Sequence, residues 1–212
     1  DMTLESYFEQ SALPSMRNVA DDSSVLASLL QEQDYLSFFR AAVAARKTIL
    51  ISGGTSSGKT TLLNALLKEI PKHERLIAIE DTPEIRLGSD NALGLVAVAG
   101  DQGEAKVTVD DLMRASRRMR PDRLIVGELR GSETVTFLRA INTGHPGSIS
   151  TVHANSPQGA LEQIAFMCMQ AGLGLGRQET RDYARSMIDV IIQLDRKSGQ
   201  RAISCVELTK AA

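Results

Sequence analysis

The chain has 212 residues, of which 42% are hydrophobic and 24% charged, and its formal net charge is −2. That length and apolar content are enough to bury a sizeable core, while the near-neutral charge does not call for a nucleic-acid or membrane partner recruited by bulk electrostatics. No apolar run approaches the ~20 residues that span a bilayer.

Aromatic residues make up only 4% and Trp is absent, so the core is expected to be built from Leu, Ile, Val, Ala and Met. Cys168 and Cys205 sit among apolar neighbours with no second Cys or His close by. Two buried free thiols are expected, rather than a disulfide or a zinc site, as suits a reducing cytosol. Asp1, in place of an initiating Met, predicts a piece of a longer protein.

Residues 1–45 read as a lead-in. Thr3 is positioned to cap a short helix through Leu4, Tyr7 and Phe8. The polar stretch 18–24 reads as a loop. Tyr35 to Val43 carries apolar residues at helical spacing. Beyond residue 45 the pattern alternates. Strands are predicted at 48–51, 75–79, 93–99, 123–126, 148–152, 190–194 and 202–208. Helices are predicted at 59–69, from Asp110 or Asp111 to about 119, and at 132–141, 157–171 and 179–188. Ser198-Gly199 reads as a turn. Such alternation predicts an α/β domain over residues 46–212, with a mainly parallel sheet flanked by helices. In such sheets ligands bind at the carboxyl ends of strands, so the loops after Ile51, Ile79, Val126 and Val152 should share one rim.

One of those loops is specific. Gly53-Gly54-Thr55-Ser56-Ser57-Gly58-Lys59-Thr60 matches the full pattern G-x-x-x-x-G-K-[ST], between an apolar strand and an amphipathic helix that continues through Thr61. Glycines let successive backbone N–H groups turn inward as an anion cradle, and the helix adds the positive end of its dipole. Lys59 supplies a point charge for the β- and γ-phosphates, and the Thr60 hydroxyl a ligand for magnesium. A nucleoside triphosphate with Mg2+ is the implied ligand.

Hydrolysis needs carboxylates near that cradle. Ile79-Glu80-Asp81-Thr82-Pro83-Glu84 crowds three acids at the exit of a strand expected to neighbour the phosphate-loop strand. Their mutual repulsion calls for a nearby cation; the alternative is a solvated acidic turn. Leu124-Ile125-Val126-Gly127-Glu128 ends another apolar strand with Gly where such strands commonly end in Asp, followed by Glu128.

His145 and His153 bracket one predicted strand. His153 falls at the phosphate rim and suits a γ-phosphate sensor or relay, whereas His145 suits a role in orienting the segment. His73 reads as surface. The basic run from Arg114 to Arg123 is either a solvated face or a source of phosphate-contacting arginines. Arg120 is the candidate within it, acting in its own subunit or across a boundary.

Together, GGTSSGKTTLLNAL, IAIEDTPEI, RMRPDRLIVGELRG and NTGHPGSISTVHANSP resemble the Walker A, Asp box, Walker B and His box of the type II and type IV secretion ATPases. The likeness is strongest to the VirB-type traffic ATPases and spans about residues 42–208. It implies a RecA-like P-loop fold and an ATP-hydrolysing motor. It also implies a homohexameric ring at the cytoplasmic face of the inner membrane, working with inner-membrane secretion components and not binding nucleic acid directly. Residues 1–45 would then be the linker from a separate N-terminal domain. By the same resemblance Glu84 polarises the attacking water with Glu80 and Asp81 in support. Glu128 lies near magnesium with Thr60, His153 is the second His-box histidine, and Arg120 is an arginine of the Walker B lead-in. Ser56 stands where the family commonly carries Gly, a change expected to be tolerated.

The rival readings are a pilus or Tad-type secretion ATPase, a P-loop small-molecule kinase and a non-hydrolysing module. A kinase requires an arginine-bearing lid, which the sequence does not show. The retained Glu84 and Glu128 speak against a non-hydrolysing module, and the missing four-cysteine zinc motif speaks against the type II branch.

Overall fold

The computed structural model describes residues 19–98, 106–197 and 200–210. The Thr3-capped helix and the Ser198-Gly199 turn lie outside them. In chain order the elements are α1 (Val19–Gln31), α2 (Tyr35–Ala44), β1 (Ile49–Gly53), α3 (Lys59–Leu67), β2 (Leu76–Glu80), β3 (Ala92–Val96), α4 (Val109–Ser116), β4 (Arg123–Leu129), α5 (Glu133–Asn142), β5 (Ile149–Val152), α6 (Pro157–Gln170), α7 (Arg177–Met187), β6 (Val190–Lys197) and β7 (Gln200–Leu208).

The strands form a seven-stranded sheet in the order β3-β2-β4-β5-β1-β6-β7. All neighbours are parallel except the β6–β7 hairpin. Helices cover both faces, so the central strands read as continuous apolar runs, not as an alternation. The two-residue side-chain period still divides the core. Ile49 and Ile51 join Phe38, Val43 and Leu63 on one face, while Leu50 joins Met113, Phe137 and Ile164 on the other. Among the described residues, no helix is long and apolar enough to cross a membrane.

Local signals set the helix ends. Asp34 caps α2 by accepting from the Ser37 amide, and Ser156 caps α6, with Pro157 at its first turn. Thr108 and Asp111 form a capping box that starts α4 at Val109, just before the expected acids.

Four expectations are corrected. The polar stretch from Val19 to Ser24 is helical, part of α1, because Leu26 further along that helix is buried in the core and packing outweighs the weak propensity of Asp and Ser. The strand carrying the acids, β2, does not neighbour β1; β4 and β5 lie between them. A β–helix–β crossover sets the hand of the connection but not how many strands it skips. Cys168 is buried, but Cys205 is exposed, since β7 is an edge strand with little packed against it. Finally, Arg123, at the end of the basic run, is not solvated but fully buried.

Arg123 anchors the edge of the sheet remote from the strand carboxyl ends. Its Nε and Nη2 donate to the two oxygens of Glu74 at 2.6 and 2.8 Å, and Nη1 donates to the Val43 carbonyl at 2.9 Å. Arg46 adds a second contact to Glu74 at 2.8 Å. Gly147, at φ +80°, keeps this room open, since a Cβ there would lie 2.7 Å from the Arg123 guanidinium.

Candidate functional site

At the opposite rim, the carboxyl ends of β1, β2, β4 and β5 enclose a cleft of about 550 Å³. Its floor is the loop from Gly53 to Thr60. Gly53 cannot carry a side chain there, because a Cβ would lie 2.3 Å from the Ser57 hydroxyl and 2.9 Å from the Leu194 carbonyl. Gly58, at φ +98°, makes the left-handed turn into α3. Ser56 also holds a left-handed backbone, at φ +59°, which explains why glycine suits that position.

The Lys59 ammonium folds back onto the loop. It donates to the carbonyls of Gly53 at 2.9 Å and Gly54 at 3.3 Å, and it lies 3.7 Å from Glu128. Burial pushes its pKa down, with Glu128 pulling the other way. These are weak substitutes for a polyanion, so an incoming phosphate chain has a strong claim on this cation. The Ser57 hydroxyl is buried and has no hydrogen-bond partner among the described residues.

The acidic residues divide by function. Glu80 is buried, and its Oε1 accepts from the Glu84 and Ile85 amides at 2.9 and 2.8 Å, which shapes the loop that presents Glu84. Glu84 itself is exposed and accepts from the Thr60 hydroxyl at 3.0 Å. Glu128 arrives through an irregularity in β4. Between Val126 and Leu129 the pairing with β5 slips by one residue, a bulge of the kind that re-aims a side chain beside a site. Gly127 within it leaves room for Glu80, since a Cβ there would come within 3.3 Å of the Glu80 side chain. A larger residue in that place would press on the Glu80 side chain.

His153 completes the group. Its Nε2 is 3.3 Å from the Thr55 hydroxyl, and its Nδ1 is 3.5 Å from both Lys59 and Glu128. The structure thus brings Lys59, Thr60, Thr61, Glu80, Asp81, Glu84, Glu128 and His153 to one cleft. Two expected residues are elsewhere. Arg120 is exposed and follows the turn before β4, at the strand's other end. His145 meets the Pro121 carbonyl at 3.0 Å, also at that end. A phosphate contact by Arg120 within its own chain is therefore not supported.

Two arginines that the motifs did not single out line the cleft. Arg130 grips Glu128 through Nε at 2.9 Å and Nη2 at 2.5 Å, and it also pairs with Asp81. Bonding to Glu128 raises its pKa further above the ordinary arginine range. Its signal in the sequence was its place two residues after Glu128. Arg201 reaches the cleft from β7 and left no local signal.

Among the described residues, no three His, Cys, Asp or Glu side chains converge as a metal cage. Magnesium is commonly held by one or two protein oxygens together with phosphate oxygens and water. The adjacent oxygens of Thr60 and Glu84, with Glu128 across the cleft, fit that requirement.

The family model described as "Type II/IV secretion system protein" matches residues 7–205. The VirB11 protein of Bartonella quintana is 42% identical over 177 residues, covering 82% of this chain and 50% of that protein. PtlH of Bordetella pertussis is 44% identical over 169 residues, covering 78% and 50%. The chain therefore spans about half the length of these relatives. Among solved structures, the VirB11 ATPase of Brucella suis in complex with sulphate superposes with a TM-score of 0.86 at 35% identity, covering 98% of this chain and 65% of that one. The pilus retraction motor PilT with bound ADP superposes at 0.62 and 26% identity, covering 81% and 50%. The fold is RecA-like, and the chain belongs to the type II/type IV secretion system protein family.

Proposed function

We propose that this chain is the motor domain of a type IV secretion ATPase. It binds ATP with magnesium and hydrolyses it to ADP and phosphate, powering substrate transfer or pilus assembly. The observation that carries the reading is the meeting of Thr60 and Glu84, 24 residues apart, beside the Lys59 cradle. Sulphate in the VirB11 relative and ADP in PilT support an anion in this cradle.

Magnesium, when bound, would neutralise phosphate charge, with Thr60 and Glu128 as oxygen donors. The loop amides and the helix dipole of α3 hold the phosphate chain, and Lys59 leaves the Gly53 and Gly54 carbonyls to meet it. Glu84, fixed by Glu80, orients and polarises the attacking water for in-line displacement. His153, touching both Thr55 and Lys59, registers the terminal phosphate and its loss. The ring of six copies, its seat at the cytoplasmic side of the inner membrane and an Arg120 contribution across a subunit boundary belong to the same proposal. A pilus-retraction motor is the second reading, supported by the PilT likeness at lower identity and coverage.

Phosphate release by variants tests the reading. Lys59→Ala is expected to lose nucleotide binding. Glu84→Gln is expected to bind ATP yet turn over about 10²–10⁴ times more slowly. An unchanged rate in Glu84→Gln removes Glu84 from the water-positioning role.

A further inference from the structure

We propose that Arg201 is a positioning residue that clasps the α-phosphate end of the bound nucleotide. The proposal rests on the reading of the cleft as an ATP site.

Its basis is the strand order. β5, β4 and β2 lie on one side of β1, and β6 and β7 on the other. His153, Glu128, Glu80 and Glu84 all come from the first side. A polyphosphate lying over the loop from Gly53 to Thr60 therefore points its terminal phosphate toward those groups. Its α-phosphate and nucleoside then run the opposite way, toward the β6–β7 hairpin.

Arg201 is what that hairpin presents. It pairs with Arg196 at the near end of the β6–β7 ladder, and its stem lies on Gly58, where a Cβ would meet its Cδ at 3.0 Å. Gly58 is the residue from which α3 starts, so the guanidinium stands beside the N-terminal turn where phosphate oxygens gather. The side chain is exposed, lines the cleft, and pairs with no carboxylate among the described residues. Arg130, on the far side, is instead committed to Glu128 and Asp81. An arginine fork left open at the mouth of a phosphate site matches bidentate recognition of a phosphate. Gly58 has two duties here. It makes the left-handed turn, and it seats the arginine stem, so any side chain at that position displaces Arg201.

Because the α-phosphate is common to ATP and ADP, the signature is a shared loss. Dissociation constants for ADP and for ATP, with steady-state hydrolysis, are measured on the parent chain, Arg201→Ala and Arg201→Lys. Arg201→Ala is expected to weaken ADP and ATP by the same factor, about 10-fold for an exposed charge-assisted contact. It should raise KM while leaving kcat at saturating ATP unchanged. Arg201→Lys should recover part of the affinity. If Arg201→Ala binds ADP as tightly as the parent, or loses affinity for ATP alone, the proposal is overturned and the ATP-site reading stands. If the parent chain itself binds neither nucleotide, it is the ATP-site reading that fails.

Discussion

Replacing Arg123 with Met removes a guanidinium from the interior while keeping most of its stem. Glu74 then loses both of its bonds to Arg123 and keeps one contact, to Arg46 at 2.8 Å, while the Val43 carbonyl loses one of two donors and keeps the Arg46 amide at 3.1 Å. Glu74 stays buried, at 4% exposure. Breaking a buried ion pair on one side costs about 3–5 kcal/mol. The surviving Arg46 contact places the loss at the lower end, about 3 kcal/mol, which for a chain of this size lowers the melting temperature by roughly 6–12 °C. Urea unfolding followed by circular dichroism, on Arg123→Met, Glu74→Gln and the double variant, measures both the loss and the coupling. The pair also sets a pH dependence. Hydrogen bonding to Arg123 holds the Glu74 carboxyl below the usual glutamate range, against the opposing effect of burial. A depressed folded value means that this stability is fully present above the usual glutamate range and is lost as pH falls through the folded value. Arg123→Met should flatten that acid limb. A loss under about 1 kcal/mol, with the limb unchanged, would refute the buried-charge reasoning.

Other outcomes follow from single contacts. Glu80→Ala frees the loop that presents Glu84, so kcat should drop by about 10- to 100-fold; an unchanged kcat means the loop is held by other means. Ser56→Gly relieves a left-handed backbone worth about 1–2 kcal/mol, offset by about 0.5–1 kcal/mol of glycine chain entropy. It should therefore raise the urea midpoint slightly, whereas Ser56→Ala should not. Titration of the native protein with a thiol reagent should label the exposed Cys205 and leave Cys168 untouched until unfolding, since burial pushes the Cys168 thiol up to about 11.

The cradle was legible because its constraints are local. The close approach of Ser57 to Gly53 and the left-handed turn at Gly58 arise within the loop itself, and the same eight residues define both the motif and the floor of the cleft. The convergence of Glu80, Glu84, Glu128 and His153 on one rim followed from parallel strands alone. What sequence pattern could not supply was long-range. The insertion of β4 and β5 between β2 and β1 is encoded by no local pattern, since a crossover fixes its hand and not how many strands it skips. Arg201 lies 143 positions from the Gly58 it covers. Arg123 sits at the end of a run of exposed arginines and differs from them only in having Glu74 as a buried partner, 49 positions earlier. The helical start of α1 was hidden for a related reason. Its Asp and Ser residues have weak helix propensity, and the burial of Leu26 outweighs it.

β4 joins two fixed points. At one end Arg123 is bolted to Glu74 and, through the Val43 carbonyl, to α2; at the other stands Glu128, beside the Lys59 ammonium. Its seven residues span about 23 Å; the stretch from Arg123 to Val126 is paired with β2, and the bulge lies between that stretch and Leu129. α2 and the phosphate rim are thus tied to opposite ends of a single strand, with the bulge on the line between them.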